Sequence, residues 1–181
     1  LISSALVKSI LVNSASKINN MNSSSKLLLN GGFGSIHLSN SLYLINCNNN
    51  GFRVCDLVEI SSKQDIFTTI KINKVVDSNV PLKVTLCWLD PPLDSKSKMP
   101  LFADLDLYVV SPDGKIFYGN NNDFEDSHSS TERVVIDHPL LEGEYQIHIY
   151  CPKLPINQTK IKFSLAVNGP FNQTDFSANP R

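Results

Sequence analysis

Leu82-Lys-Val-Thr-Leu-Cys-Trp-Leu-Asp-Pro-Pro and, after a polar loop, Asp104-Leu-Asp-Leu-Tyr-Val-Val-Ser-Pro-Asp-Gly-Lys-Ile-Phe-Tyr-Gly-Asn120 decide the fold. Leu82, Val84, Leu86 and Trp88 alternate with Lys83, Thr85 and Cys87, which is the period of a half-buried strand. Leu105, Leu107 and Val109 alternate with Asp104, Asp106 and Tyr108 in the same way. Ser111-Pro-Asp-Gly predicts a tight turn, with proline presetting φ and Gly114 free to take positive φ. Ile116-Phe-Tyr then returns as the next strand. The stretch reads as two buried strands, a carboxylate-rich bend and a hairpin.

Outward from it, the two-residue period continues. Val54–Ile60, Ile66–Ile72, Leu82–Leu89, Leu105–Val110, Lys115–Tyr118, Arg133–Ile136, Glu144–Tyr150 and Ile161–Val167 are strand candidates. With turn signals between them and no helix among them, they predict a mainly β fold, an antiparallel β-sandwich of jelly-roll type. A parallel sheet would need crossover helices that this order does not supply. One helix is expected at the start, over Ser3-Ser-Ala-Leu-Val-Lys-Ser-Ile-Leu-Val-Asn-Ser-Ala15. Ser3 or Ser4 caps it, and Leu6, Ile10 and Leu11 make an apolar stripe. Residues 17–26 read as loop, and Ser39 or Asn40 opens a last helical turn ending at Leu44. The chain therefore divides into a helical start (1–46), a β-module (52–169) and a polar, frayed tail (170–181).

Composition narrows the function. The 181 residues carry a formal net charge of -1 with dispersed cations, so there is no footprint for nucleic acid. No apolar run approaches the roughly 20 residues that span a bilayer. The first residue is Leu1, and the chain is expected to be a piece of a longer protein. Cys47, Cys55, Cys87 and Cys151 have no zinc spacing. A Cys47–Cys55 clip around Asn48-Asn-Asn-Gly and four small buried side chains remain alternatives. Asn22, Asn157 and Asn172 head glycosylation sequons, which favours a secreted or extracytoplasmic route.

Two parts of this order resemble the subtilisin-like serine proteases (subtilases). Ala5-Leu-Val-Lys-Ser-Ile-Leu-Val-Asn-Ser-Ala is similar to the helix that follows the serine-bearing one, and Gly32-Phe-Gly-Ser-Ile-His-Leu to the segment closing the catalytic domain. Val84-Thr-Leu-Cys-Trp-Leu-Asp-Pro-Pro, Asp104-Leu-Asp-Leu, Ser111-Pro-Asp-Gly and Phe163-Ser-Leu-Ala-Val resemble the C-terminal β-barrel of alkaline subtilases and of subtilases fused to ABC transporters. The Gly-Thr-Ser-Met-Ala, Asp-Thr/Ser-Gly and His-Gly-Thr motifs of the family are absent, so the expected catalytic set is empty. The resemblance implies an accessory, stabilising C-terminal region of a serine endopeptidase, itself inactive, with the catalytic domain of the same protein as its partner. The rivals are an independent β-sandwich module binding carbohydrate or protein, and a purely structural domain.

The bend carries the metal expectation. Asp104 and Asp106, two apart on one strand, are expected on one face with Cβ atoms about 6–7 Å apart. Asp90 can join them, and backbone carbonyls near 101–103 can add oxygens, a donor set that suits Ca²⁺. The resemblance implies structural calcium there too. The alternative is two solvated aspartates, or pairs with Lys83 or Lys115. Asn120, Asp123, Glu125 and Asp126 read as a second, solvated acidic loop. Trp88 is expected in the core. His37, His128, His138 and His148 carry no mark of a catalytic pair. Tyr108, Tyr118 and Tyr150 are expected to be exposed, and an exposed aromatic row is the minimum for carbohydrate binding.

Overall fold

A computed structural model describes residues 2–16, 18, 32–37, 51–72, 80–93, 100–121, 123–139, 142–155, 158–171 and, as backbone, 176–180. The elements are α1 (Ser4–Ser14), β1 (Gly51–Ser61), β2 (Gln64–Ile72), β3 (Leu82–Trp88), β4 (Asp104–Val110), β5 (Ile116–Tyr118), β6 (Thr131–Ile136), β7 (Gly143–Lys153), β8 (Lys160–Gly169) and β9 (Phe176–Pro180). Two antiparallel sheets form, in the orders β1-β8-β3-β6 and β5-β4-β7-β2-β9. They stay separate sheets, so the expected sandwich is present but no closed barrel.

The alternation seen in the sequence sets which faces meet. Leu82, Val84, Leu86 and Trp88 of β3 and Ile161, Phe163, Leu165 and Val167 of β8 pack against Leu105, Leu107 and Val109 of β4 and Tyr145, Ile147 and Ile149 of β7. Removing these side chains from water is the main stabilising term. Ser111 to Lys115 makes the expected turn, with the Gly114 amide donating to the Ser111 carbonyl at 2.8 Å and Gly114 at φ +81°.

The tail differs from expectation. Residues 176–180 are not frayed; they pair antiparallel with β2, Phe176 opposite Ile70 and Pro180 opposite Ile66. The strand edge of β2 offers amides and carbonyls that pairing satisfies. Cys47, the last helical turn at 39–44, and Asn22, Asn157 and Asn172 lie outside the described residues. Cys55, Cys87 and Cys151 are free thiols, and burial pushes the latter two up to about 11.

The helix is the second departure. Its sequence stripe predicts an apolar contact face, yet the side lying on the four-stranded sheet is Ala5, Leu6, Ser9, Asn13 and Ser14. Leu6 goes to the sheet, whereas Ile10 and Leu11 stay half-exposed and Val7 is exposed. Polar bonds hold the helix down at both ends. Between Cys55 and Val58 the β1 ladder slips, with Leu57 at φ +56°. There the Asp56 carboxylate accepts from the Ser3 amide (3.0 Å), the Ser3 hydroxyl and the Ser164 hydroxyl (2.7 Å). Ser3 in turn caps the helix by accepting from the Leu6 amide at 3.0 Å. At the other end Arg133 donates to the Val12 carbonyl at 3.0 Å and Lys83 to that of Ala15 at 3.4 Å, cations where the helix exposes carbonyls.

Asn13 is the central tie. Its buried Nδ2 lies within bonding distance of the Lys83 carbonyl (3.2 Å), the Thr85 hydroxyl (3.1 Å) and the Ala166 carbonyl (3.0 Å), on two neighbouring strands. Asn13→Ala is expected to cost about 1–3 kcal/mol, because acceptors buried under α1 lose their donor. Urea unfolding monitored by circular dichroism measures it, and a loss indistinguishable from zero would show that α1 is not anchored there. The cover also explains why Thr85 and Cys87, on the supposedly solvent face of β3, are fully buried.

Candidate functional site

The carboxylates gather where β5 stops short. β5 pairs with β4 only at Tyr108, Val109 and Val110, so among the described residues the edge of β4 from Asp104 to Leu107 has no strand beside it. Glu132 of β6, on the other sheet, fills the gap: its Oε2 accepts from the Leu107 amide at 2.8 Å. Glu132 is 1% exposed and Asp106 4%. Gly119 allows this approach, since a Cβ there would lie 2.4 Å from Glu132 Oε2.

Asn120 follows, in the left-handed conformation that asparagine tolerates. Its Oδ1 accepts from the Arg133 amide at 3.1 Å, and its Nδ2 donates to the Thr131 carbonyl at 3.1 Å and to Asp126 Oδ2 at 2.6 Å. The side chain thus imitates a strand on the free edge of β6. Contrary to the reading of a solvated loop, Asn120 is buried and Asp126 is turned inward, while Asp123 and Glu125 are exposed.

Asp104, Asp106, Asp126 and Glu132 lie within range of one another's charge. Burial first, then neighbouring carboxylates, raise Asp106 to about 7. Burial, opposed by the Leu107 amide and reinforced by Asp106, Asp126 and Asp104, raises Glu132 to about 9. Asp104 is raised by burial, Asp126 and Asp90, and lowered by His128. Three buried oxygens, Asp104 Oδ1, Asp106 Oδ1 and Glu132 Oε1, have no hydrogen-bond partner among the described residues. Such atoms are costly to leave unsatisfied.

Of the sequence candidates, Asp104 and Asp106 are therefore brought together, with a register irregularity against β7 between them. Asp90 serves the bend: its two oxygens accept from the Phe102 amide (2.7 Å) and the Ala103 amide (2.8 Å). Sequence reasoning missed Glu132, and read Asp126 as part of a solvated loop. The signal for Glu132 was available, since it is in phase with Val134 and Ile136, which face the core. The donors are hard carboxyl oxygens, the type calcium takes, and three of these atoms lack partners among the described residues. Among the described residues, however, no three acid, His or Cys side chains are already drawn together closely enough to hold a metal ion.

Two further surfaces bear on function. On the outer face of the five-stranded sheet, Phe67, His148, Tyr108 and Tyr118 are cross-strand partners in one row. Tyr108 stacks on His148 at 4.6 Å and 6°, and Phe67 on its other side at 5.4 Å and 22°. Asp65 Oδ2 meets His148 Nδ1 at 2.9 Å and accepts from the Tyr108 hydroxyl at 3.3 Å. These rings stand on the sheet and spend their faces on one another, whereas a sugar needs an open ring face to lie on.

The second surface is the outer side of α1. Ser16 and Ser35 exchange backbone bonds at 3.0 Å, which lays Gly32–Ile36 beside the helix end. Phe33 sits there with the Arg133 guanidinium over its ring at 5.2 Å. Between helix and segment opens a groove of about 590 Å³ lined by Val7, Leu11, Val12, Phe33 and Ile36. Val7 is 49% and Ile36 62% exposed.

Fold and site together define a two-sheet β-sandwich with a helix on one outer face and buried carboxylates where its two sheets meet. Compared with family models and with curated proteins, the chain matches none.

Proposed function

We propose that this chain is the accessory, stabilising C-terminal region of a subtilisin-like serine endopeptidase, inactive by itself and docked on the catalytic domain of the same protein. The observation that carries the reading is the orientation of α1. The helix gives its small and polar side to the sandwich and keeps Val7, Leu11 and Val12 for the groove with Phe33 and Ile36. An apolar surface of this kind marks a place where another body packs. The helix and the Gly32-Phe-Gly segment that form it are the same residues that resemble the end of a subtilase catalytic domain. The route is secretory or extracytoplasmic, in keeping with the sequons. The carbohydrate-module reading finds little to use in the row of stacked rings; a protein partner other than a peptidase remains the rival.

The native polypeptide containing this sequence is expected to be labelled by a fluorophosphonate probe and to exceed the 20.1 kDa of this chain, with the purified chain alone unlabelled. A native polypeptide that does not react with the probe would end the peptidase reading. Val7→Asp and Ile36→Asp test the groove. Both side chains are exposed, so the isolated chain should keep its stability within about 0.5 kcal/mol. The longer protein should lose protease resistance at the junction, and an unchanged digestion pattern would speak against docking through this groove.

A further inference from the structure

We propose that the cleft between β5 and β6 is a strand-addition site for an extended peptide with apolar residues in its middle, an acid at one end and a base at the other. β5 and β6 are end strands of different sheets, and among the described residues no further strand pairs with either. The ladders fix which backbone groups stay open. The Ser111 amide donates to the Lys115 carbonyl at 2.9 Å, and these two residues continue the register of β4 with β5. Hydrogen-bonded pairs alternate along an antiparallel ladder. Phe117 therefore turns its amide and carbonyl towards β4, whereas Ile116 and Tyr118 turn theirs outward. On β6 the Arg133 amide and the Thr131 carbonyl point away from β3, where Asn120 meets them. Val135, two residues on, turns its backbone the same way, past the two groups that Asn120 satisfies.

The two edges meet at Gly119, which lies against Glu132, and a cavity of about 300 Å³ opens between β5 and β6. Phe117, Val134 and Val135 give it an apolar floor, and Ile116, 46% exposed, stands on its rim. Lys115 and Asp123 line it too, both exposed and opposite in charge. Lys115 precedes β5 and Asp123 lies beyond its end. A chain laid along Ile116 and Tyr118 thus finds a cation at one end, a carboxylate at the other and an apolar hollow between. Open edge groups supply the main-chain bonds of such an addition, and the flanking side chains select the sequence. The site is separate from the groove beside α1, which lies on the outer face of the other sheet. It goes beyond the docking role given above and survives if the fluorophosphonate experiment fails.

Fluorescence anisotropy on the full chain tests it, with the labelled peptides Lys-Val-Thr-Val-Thr-Glu and Glu-Thr-Val-Thr-Val-Lys, one for each strand direction. One of them should bind saturably at micromolar concentration. N-methylating every second amide of that peptide should abolish binding in at least one of the two phases, because the added strand loses its donors. Ile116→Pro removes an open amide without taking a bond from the β4 ladder, so it should weaken binding about fivefold or more and leave the unfolding temperature in place. Lys115→Glu should weaken it about 2–5-fold, as expected of an exposed charge. If neither peptide binds at millimolar concentration, the proposal falls. It falls equally if both N-methylated forms bind like the parent, since the backbone is then not what is recognised. A concentration-dependent dimer that Ile116→Pro dissolves would give the cleft to a second copy of this chain and overturn the separate peptide partner.

Discussion

Trp88→Ala is expected to remove about 3–5 kcal/mol of stability, the range for deleting a large aromatic from a packed core. Trp88 is 2% exposed, on the face of β3 that also carries Val84 and Leu86. Its loss leaves a cavity between the sheets and strips the Ala103 carbonyl of the indole donor, at the mouth of the acidic bend. Trp88→Phe separates the two effects: it keeps much of the ring volume and loses the hydrogen bond, so its cost should stay near the 1–3 kcal/mol of an unpaired buried carbonyl. Urea unfolding of both variants makes the comparison. If alanine costs less than about 1 kcal/mol, Trp88 is not a core residue and the facing of β3 is wrong.

Glu132→Gln is expected to stabilise the chain in chelator at neutral pH and above. The carboxyl sits at about 9 in the folded state against an ordinary 4.5. The folded form therefore binds more protons than the unfolded form, and stability falls as pH rises from about 4.5 towards 9. At about 1.4 kcal/mol per unit, the burden reached at pH 7 is about 3 kcal/mol, and Asp106, raised to about 7, adds to it in the same direction. Glutamine keeps an acceptor for the Leu107 amide and carries no charge to bury. The wild type in chelator should lose stability steadily from pH 5 to 8, and Glu132→Gln should flatten that slope. Parallel slopes for the two would mean that Glu132 is ionised in the fold.

These expectations differ in how far the chain alone announces them. The inward side chains of β3, β4, β7 and β8 follow from a period of two, because successive residues on a strand point to opposite faces. The hairpin at Ser111–Gly114 follows from turn chemistry that operates within four residues. Asp104 and Asp106 are legible for the same local reason. The inward facing of Glu132 is legible from its phase with Val134 and Ile136, but its role is not, because its partner amide on Leu107 lies 25 residues away and nothing in the spacing links β6 to the free edge of β4.

The sequence by itself determined the β class, most strand positions, the core face of the central strands and the place of the acidic bend, since each depends on contacts or alternation over a few residues. Only the tertiary structure decided which sheet edge Glu132 closes, that Asn120 serves as a surrogate strand for β6, and that α1 turns its polar side inward. Those outcomes rest on hydrogen-bonding groups left over when sheets end, such as the Lys83 and Ala166 carbonyls that Asn13 reaches. Buried polar groups must find partners wherever the fold puts them, and that geometry exists only once distant strands have been assembled.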